Sequence, residues 1–222
     1  MNDDDFTQDS AELKNTLLKE AARLSDIVDT LERSSDDHIA YYAYLKDPLI
    51  NSGVLCDDIL QGVHNDVVLL AMIGTRVLLE DAINVHYLES KTDETERMAT
   101  AADWFRLSND PRAYKNKLDN KAVAQRAKEA GKDTEAMHDS EYADFCNYTH
   151  STAQRSLLNT SSHRIVVANK AVVASLKAYA NIVTCVARII GATTPELVSN
   201  AATSYLDKYR VSVTEAPLPS ID

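Results

Sequence analysis

Glycine and proline are scarce in this chain, five of each in 222 residues, and cysteine is scarcer still at three. Sheet proteins use glycine and proline in frequent tight turns, so the shortage argues against a strand-rich fold. Cys56, Cys146 and Cys185 are odd in number, far apart and without a Cys-x-x-Cys pair. That pattern suggests neither a disulfide framework nor a zinc site, and we expect buried free thiols in a reducing compartment. No metal and no cofactor is expected. The start of the chain, Met1-Asn2-Asp3-Asp4-Asp5, is acidic where a secretory signal needs basic residues and an apolar run. A glycine-rich phosphate loop, a nucleophile elbow, a paired-histidine metal motif and a dinucleotide fingerprint are all missing.

The most apolar long stretch, Val166 to Ile190, is interrupted by Lys170, Lys177 and Arg188. Together with Asn181 and Thr184 these recur at steps of seven, four, three and four, which is one narrow stripe of a helix. A core helix with one wet edge has this pattern, whereas a membrane span avoids it. The expectation is a cytoplasmic protein with no membrane segment.

Net charge is −11, unevenly placed. Residues 1–37 hold eleven acidic side chains against four basic, and residues 106–132 hold eight basic against three acidic. Such an acidic molecule is a poor general binder of nucleic acid, leaving only the basic helix expected at 112–130 as a surface for phosphates.

Periodicity predicts helices nearly throughout. A first helix runs from about Ser10 to Arg33, with Leu17, Ala21, Leu24, Val28 and Leu31 forming a seam at steps of four and three. That seam needs a cover, either the rest of the chain or a second copy, so a homo-oligomer through Leu17, Leu24, Val28 and Leu31 is one expectation. A second helix starts near His38 and is expected to break at Asp47-Pro48 and Asn51-Ser52-Gly53. The third spans about 65–90. Residues 91–133 turn polar and read as a helical flap, part of it basic. Helices follow at about 134–148, 165–190 and 195–210. The fold expected is an all-α single bundle of about seven to eight helices over residues 10–210. Residues 1–9 read as an acidic flexible terminus and 211–222 as a disordered tail.

Arg76, Glu80 and Asn84 share the apolar stripe of the third helix with Leu69, Met72, Ile73, Ile83 and Tyr87. An arginine and an acid four residues apart can pair along their helix, and on a buried stripe they need further partners. Tyr148 and His150 are candidates to supply them. The cluster reads either as a pocket for a small ligand or as a structural network that fixes helix register. Glu135-x-x-His138 has the spacing of one half of a di-iron site but lacks a second copy. Arg33 and His38 fit the Arg-x4-His spacing of a class of helical ribonucleases, although about one such match is expected by chance at this composition.

The third helix, reading Arg76-Val77-Leu78-Leu79-Glu80 and on to His86-Tyr87-Leu88, is followed by a polar span and a Tyr-x-His helix end, Tyr148 to His150. In these motifs the chain resembles a group of bacterial all-helical proteins catalogued as domains of unknown function, distantly similar to the HEPN class. The resemblance covers about residues 65–155. It implies a helical bundle with an Arg/Glu/Tyr/His cluster and no established activity; a HEPN-like, metal-independent ribonuclease is an alternative, with Arg33, His38 and His150 as its candidate catalytic residues. Against that stands the lack of a ribonuclease motif in the late helices. The reading placed first is a non-enzymatic regulatory or protein-interaction bundle, with the ribonuclease and a small-ligand-binding bundle as alternatives.

Overall fold

The computed structural model describes residues 3–33, 39–108, 120–150 and 158–209. Among them the chain is all helix, with no strand. The elements are α1 (Asp3–Arg33), α2 (Ile39–His64), α3 (Val68–Glu89), α4 (Glu94–Ser108), α5 (Asn120–Ala130), α6 (Lys132–Met137), a π turn (His138–Tyr142), α7 (Ala143–His150), α8 (Ser161–Ile189) and α9 (Glu196–Tyr209). Because α6, the π turn and α7 run on as one rod, the described residues form eight rods.

The centre is α8 against α3, with α1 and α2 packed on the pair. Small residues on α8, among them Ala168, Ala171, Ala174 and Ala178, are buried and let the neighbouring helices approach closely. The Thr75 hydroxyl joins the two central helices, 2.8 Å from the Ala71 carbonyl of its own helix and 3.2 Å from the Ala171 carbonyl across the interface. By length and hydropathy α8 is long and apolar enough to cross a membrane, but 72% of the qualifying window is buried inside the fold.

Several boundaries differ from expectation, each for a local reason. The terminus read as flexible is helical from Asp3. Acidic residues suit a helix N-terminus, where the dipole is positive, and Phe6 is buried against the Tyr209 ring at 5.0 Å. The next turn is tied down as well: Tyr209 and Lys208 both donate to the Asp9 carboxylate at 2.6 Å, and Ser10 shares a 2.7 Å hydrogen bond with Tyr205. The second helix does not break, since Pro48 lies inside α2. Its ring withholds only the donor to the Tyr44 carbonyl, while packing on α1, α3 and α8 holds the rod together. Gly53 continues the helix too, at a point where a Cβ would stand 2.4 Å from Leu18 Cδ2 and 3.2 Å from the Tyr179 hydroxyl. Its small size is what lets α1 and α8 close on α2. The third helix begins three residues late because Asp66 adopts a left-handed conformation (φ 58°) that ends α2.

The seam of α1 is closed within the chain. Leu17, Leu24 and Val28 are fully buried and Leu31 packs on the same core, beneath α2, α8 and α9. Leu17, Leu24 and Val28 are thus covered by this chain itself, and Leu31 is partly so. The expected flap is docked as well: α5 packs on α3 and buries Val123, Arg126 and Ala127, and α4 buries Ala101 near α2 and α3. Residues 109–119, where the basic helix was expected to open, lie outside the described residues, as do 151–157 and the tail beyond Tyr209.

Candidate functional site

Arg76 and Glu80 sit half-buried on α3, and their partners come from α5, the π turn and α7. Glu80 forms its ion pair with Arg126 (Nη2–Oε1 3.5 Å), not with Arg76. It also accepts from the Tyr142 hydroxyl at 3.4 Å. Arg76 lies over the Tyr142 ring, 5.8 Å from its centroid, and its Nη1 is 3.5 Å from His150 Nε2. Tyr142 is the hub. Burial and the Glu80 carboxylate push its phenol up to about 12. Burial pulls the Arg126 guanidinium down, with Glu80 and Tyr142 opposing it.

The cluster thus contains Arg76, Glu80 and His150 as expected, but Asn84 and Tyr148 are elsewhere. Asn84 faces α2, beside Asp47, Pro48 and Asn51, because it lies one turn past Glu80 and rotated toward α2. The Tyr148 hydroxyl is 3.0 Å from His163 Nε2 on α8. Leu69 is half-buried and Ile73 exposed, so the stripe drawn from periodicity was turned too far toward solvent. His38 and the Arg33 side chain lie outside the described residues. His138 pairs with Asp139 at 2.8 Å and stacks on Tyr142 at 5.3 Å, without any partnership with Glu135. The cluster is held by the Arg126–Glu80 ion pair and by the contacts of Arg76 with the Tyr142 ring and His150.

The open space lies on the other side of the π turn. A cleft of about 840 Å³ runs along the wet stripe of α8, between the α6–π rod and α9. Its floor is Lys170, Val173, Ala174, Lys177 and Asn181; Met137 and Glu141 stand on one wall, Leu206 and Asp207 on the other. That size suits a small organic ligand, and the lining mixes apolar side chains with a larger number of polar and charged ones. Both lysines are matched, Lys177 by Glu141 and Lys170 by Asp144. Glu141 Oε2 is buried and has no hydrogen-bond partner. The π turn carries both sides of this arrangement: adjacent residues of a helix point roughly a quarter turn apart, so Glu141 turns to α8 and Tyr142 to α3.

At one end of the cleft His86 comes in from α3. Its Nδ1 is 3.2 Å from Cys185 Sγ and 3.7 Å from Glu89 Oε2. Arg188 forks onto Glu89 through Nε and through Nη2 at 2.9 Å, and the same Nη2 is 3.2 Å from Cys185 Sγ. Burial, then the Glu89 carboxylate, push the Cys185 thiol up. Burial works against the Glu89 carboxylate, but hydrogen bonds from Arg188 and His86 overcome it and hold its carboxyl far below the usual range. Cys56 is also buried and is pushed up to about 12.

No relative emerges. Neither a protein-family model, nor a curated protein, nor a solved structure matches this chain. Geometry alone carries the functional reading.

Residues missed in the sequence left partial traces there. The stripe Lys170, Lys177, Asn181 and Thr184 was visible, but nothing in it showed that α6 and α9 would wall it into a cleft. His86-x-x-Glu89 is a ligand-like pair on one helical face, legible as such, yet Cys185 joins it only through the α3–α8 packing. Arg126 and Tyr142 carried no signal at all, one read as part of a solvated basic run and the other hidden by the π turn.

Proposed function

We propose that this chain is a non-enzymatic, ligand-sensing bundle whose cleft over α8 binds a small amphipathic molecule with an apolar body and an amine or hydroxyl end. The carrying observation is Glu141 on the cleft wall: Lys177 takes its Oε1, while its Oε2 is buried without a hydrogen-bond partner and meets a donor when the carboxylate turns into the cleft. A buried carboxylate oxygen in that state costs free energy until a donor reaches it. Since both cleft lysines already have acidic partners, the unmet demand is for a hydrogen-bond donor and not for an anion. Val173, Ala174, Met137 and Leu206 offer the apolar contact.

Sensing follows from the π turn. Glu141 and Tyr142 are neighbours in that turn, so a ligand that draws on Glu141 shifts the residue that organises Arg76, Glu80 and Arg126 on the far side. The test is calorimetric titration of amphipathic amines, chosen by a thermal-shift screen, into wild type and Glu141→Gln. A charge-assisted hydrogen bond of about 1.5–3 kcal/mol predicts a loss of roughly ten- to hundredfold in affinity. Equal binding by the folded variant, or preference for carboxylate compounds over amines, sinks the reading.

A further inference from the structure

The sequence led to an expectation of no metal because no ligand motif is visible along the chain, and the packing of α3 on α8 adds a cluster that spacing alone cannot show. His86 and Glu89 are three apart and project from one face of α3, and Cys185 of α8 meets them there. One donor atom from each lies within 4.8 Å of the others. We propose that His86 Nδ1, Glu89 Oε2 and Cys185 Sγ form a binding site for a borderline divalent cation of the zinc class, independent of whatever ligand the cleft takes.

Three observations carry this. The donor set is imidazole, thiolate and carboxylate, which is the set that zinc prefers and that magnesium and calcium do not. The separations fit as well. Arms of 2.0–2.3 Å at tetrahedral angles put neighbouring donors about 3.3–3.8 Å apart, and the structure has 3.2 Å from Nδ1 to Sγ and 3.7 Å from Nδ1 to Oε2. Third, the carboxylate is already oriented. Arg188 Nε holds Glu89 Oε1, the oxygen the metal does not need, so the arginine acts as the outer partner that aims Oε2 inward.

Arg188 Nη2 is the group the metal replaces. It stands 2.9 Å from Oε2 and 3.2 Å from Sγ, at the place where positive charge is needed, and in a half-exposed side chain it swings out as the guanidinium pivots about the Nε–Oε1 hydrogen bond, which is kept. Binding then exchanges one cation for another. The thiol proton passes to solvent as the sulfur–metal bond forms, and no oxidant or reductant takes part. Three protein donors leave the fourth position to water, on the side where His86 borders the cleft.

The experiment is titration of the full-length protein with cobalt(II), which reports thiolate ligation by a near-ultraviolet charge-transfer band and tetrahedral geometry by intense visible bands. One equivalent is expected to bind, zinc to bleach both signals, and Cys185→Ser to abolish the charge-transfer band. Cys56→Ser and Cys146→Ser are expected to leave it unchanged. Glu89→Gln, which keeps the shape of the side chain, is expected to weaken binding at least about tenfold. Should Cys185→Ser fail to fold, Glu89→Gln decides. A wild-type protein without the band at excess cobalt, or a band that survives Cys185→Ser, overturns the site.

Discussion

Asp81 shows how one side chain carries a pH dependence of its own. It sits on α3 facing α2, with Asp47, Asn51 and Asn84 around the same small recess. Burial raises its carboxyl to about 7, with Glu80 and Asp47 adding to the effect. The sign follows from proton counting. Between about pH 4 and 7 the native chain holds a proton that the unfolded chain, with a carboxyl near 3.8, has released. Stability from this group is therefore full below pH 4 and is lost as pH rises through 7. Asp81→Asn is expected to match wild type in urea unfolding at pH 4. At pH 8 it is expected to exceed wild type by up to about 4 kcal/mol, the free energy of a displacement from 3.8 to 7. An equal difference at both pH values would show that the carboxyl is not held protonated.

Helices in this protein are limited by how closely they approach, and its glycines measure that. In α2, a Cβ at Gly62 would meet the Val67 carbonyl oxygen at 3.6 Å and Ala71 Cβ at 3.7 Å, which is ordinary contact. In α3, a Cβ at Gly74 would stand 3.0 Å from Cγ1 of Ile59, itself fully buried. Gly62→Ala is therefore expected to stabilise the protein by about 0.5–1 kcal/mol through helix propensity alone. Gly74→Ala is expected to lose that gain, or more, to displacement of Ile59. Thermal unfolding of the two variants side by side checks the contrast. Pro48 and the π turn belong at this scale as well. Each violates a local rule, and each survives because the rod around it is packed along its length.

In the molecule as a whole, the two ends of the described chain are stapled together. Phe6, Asp9 and Ser10 of α1 meet Tyr205, Lys208 and Tyr209 of α9, closing the bundle on the side away from α3. Burial, followed by the hydrogen bond to Ser10 that opposes it, governs the Tyr205 phenol, which ends well above its usual range. Phe6→Ala is expected to cost about 3 kcal/mol, the ordinary loss for truncating a buried phenylalanine, and to speed hydrogen exchange in α9 before the rest of the bundle. Unchanged stability on denaturation would mean that the first turns of α1 are not part of the core.

The helical character of the chain, the core position of α8 and its wet stripe were all legible in the sequence. Composition and the 3.6-residue period are local properties, and they report which face of a helix wants burial. The period also put Arg76 and Glu80 on one face of α3, and His150 was offered as a partner from another helix. What it left open was which helix would lie against each face. The seam of Leu17, Leu24 and Val28 had the same pattern whether closed by this chain or by another. Asn84 went to α2 because a turn of helix rotates a residue away from its neighbour's partner. Tyr142 and Glu141 lie in a π turn that no periodicity announces, so the faces they would take were not legible. The cleft, the Arg126–Glu80 pair and the meeting of His86, Glu89 and Cys185 all depend on side chains far apart in sequence. Only packing, which trades burial on one helix against space on the next, decided where they would meet.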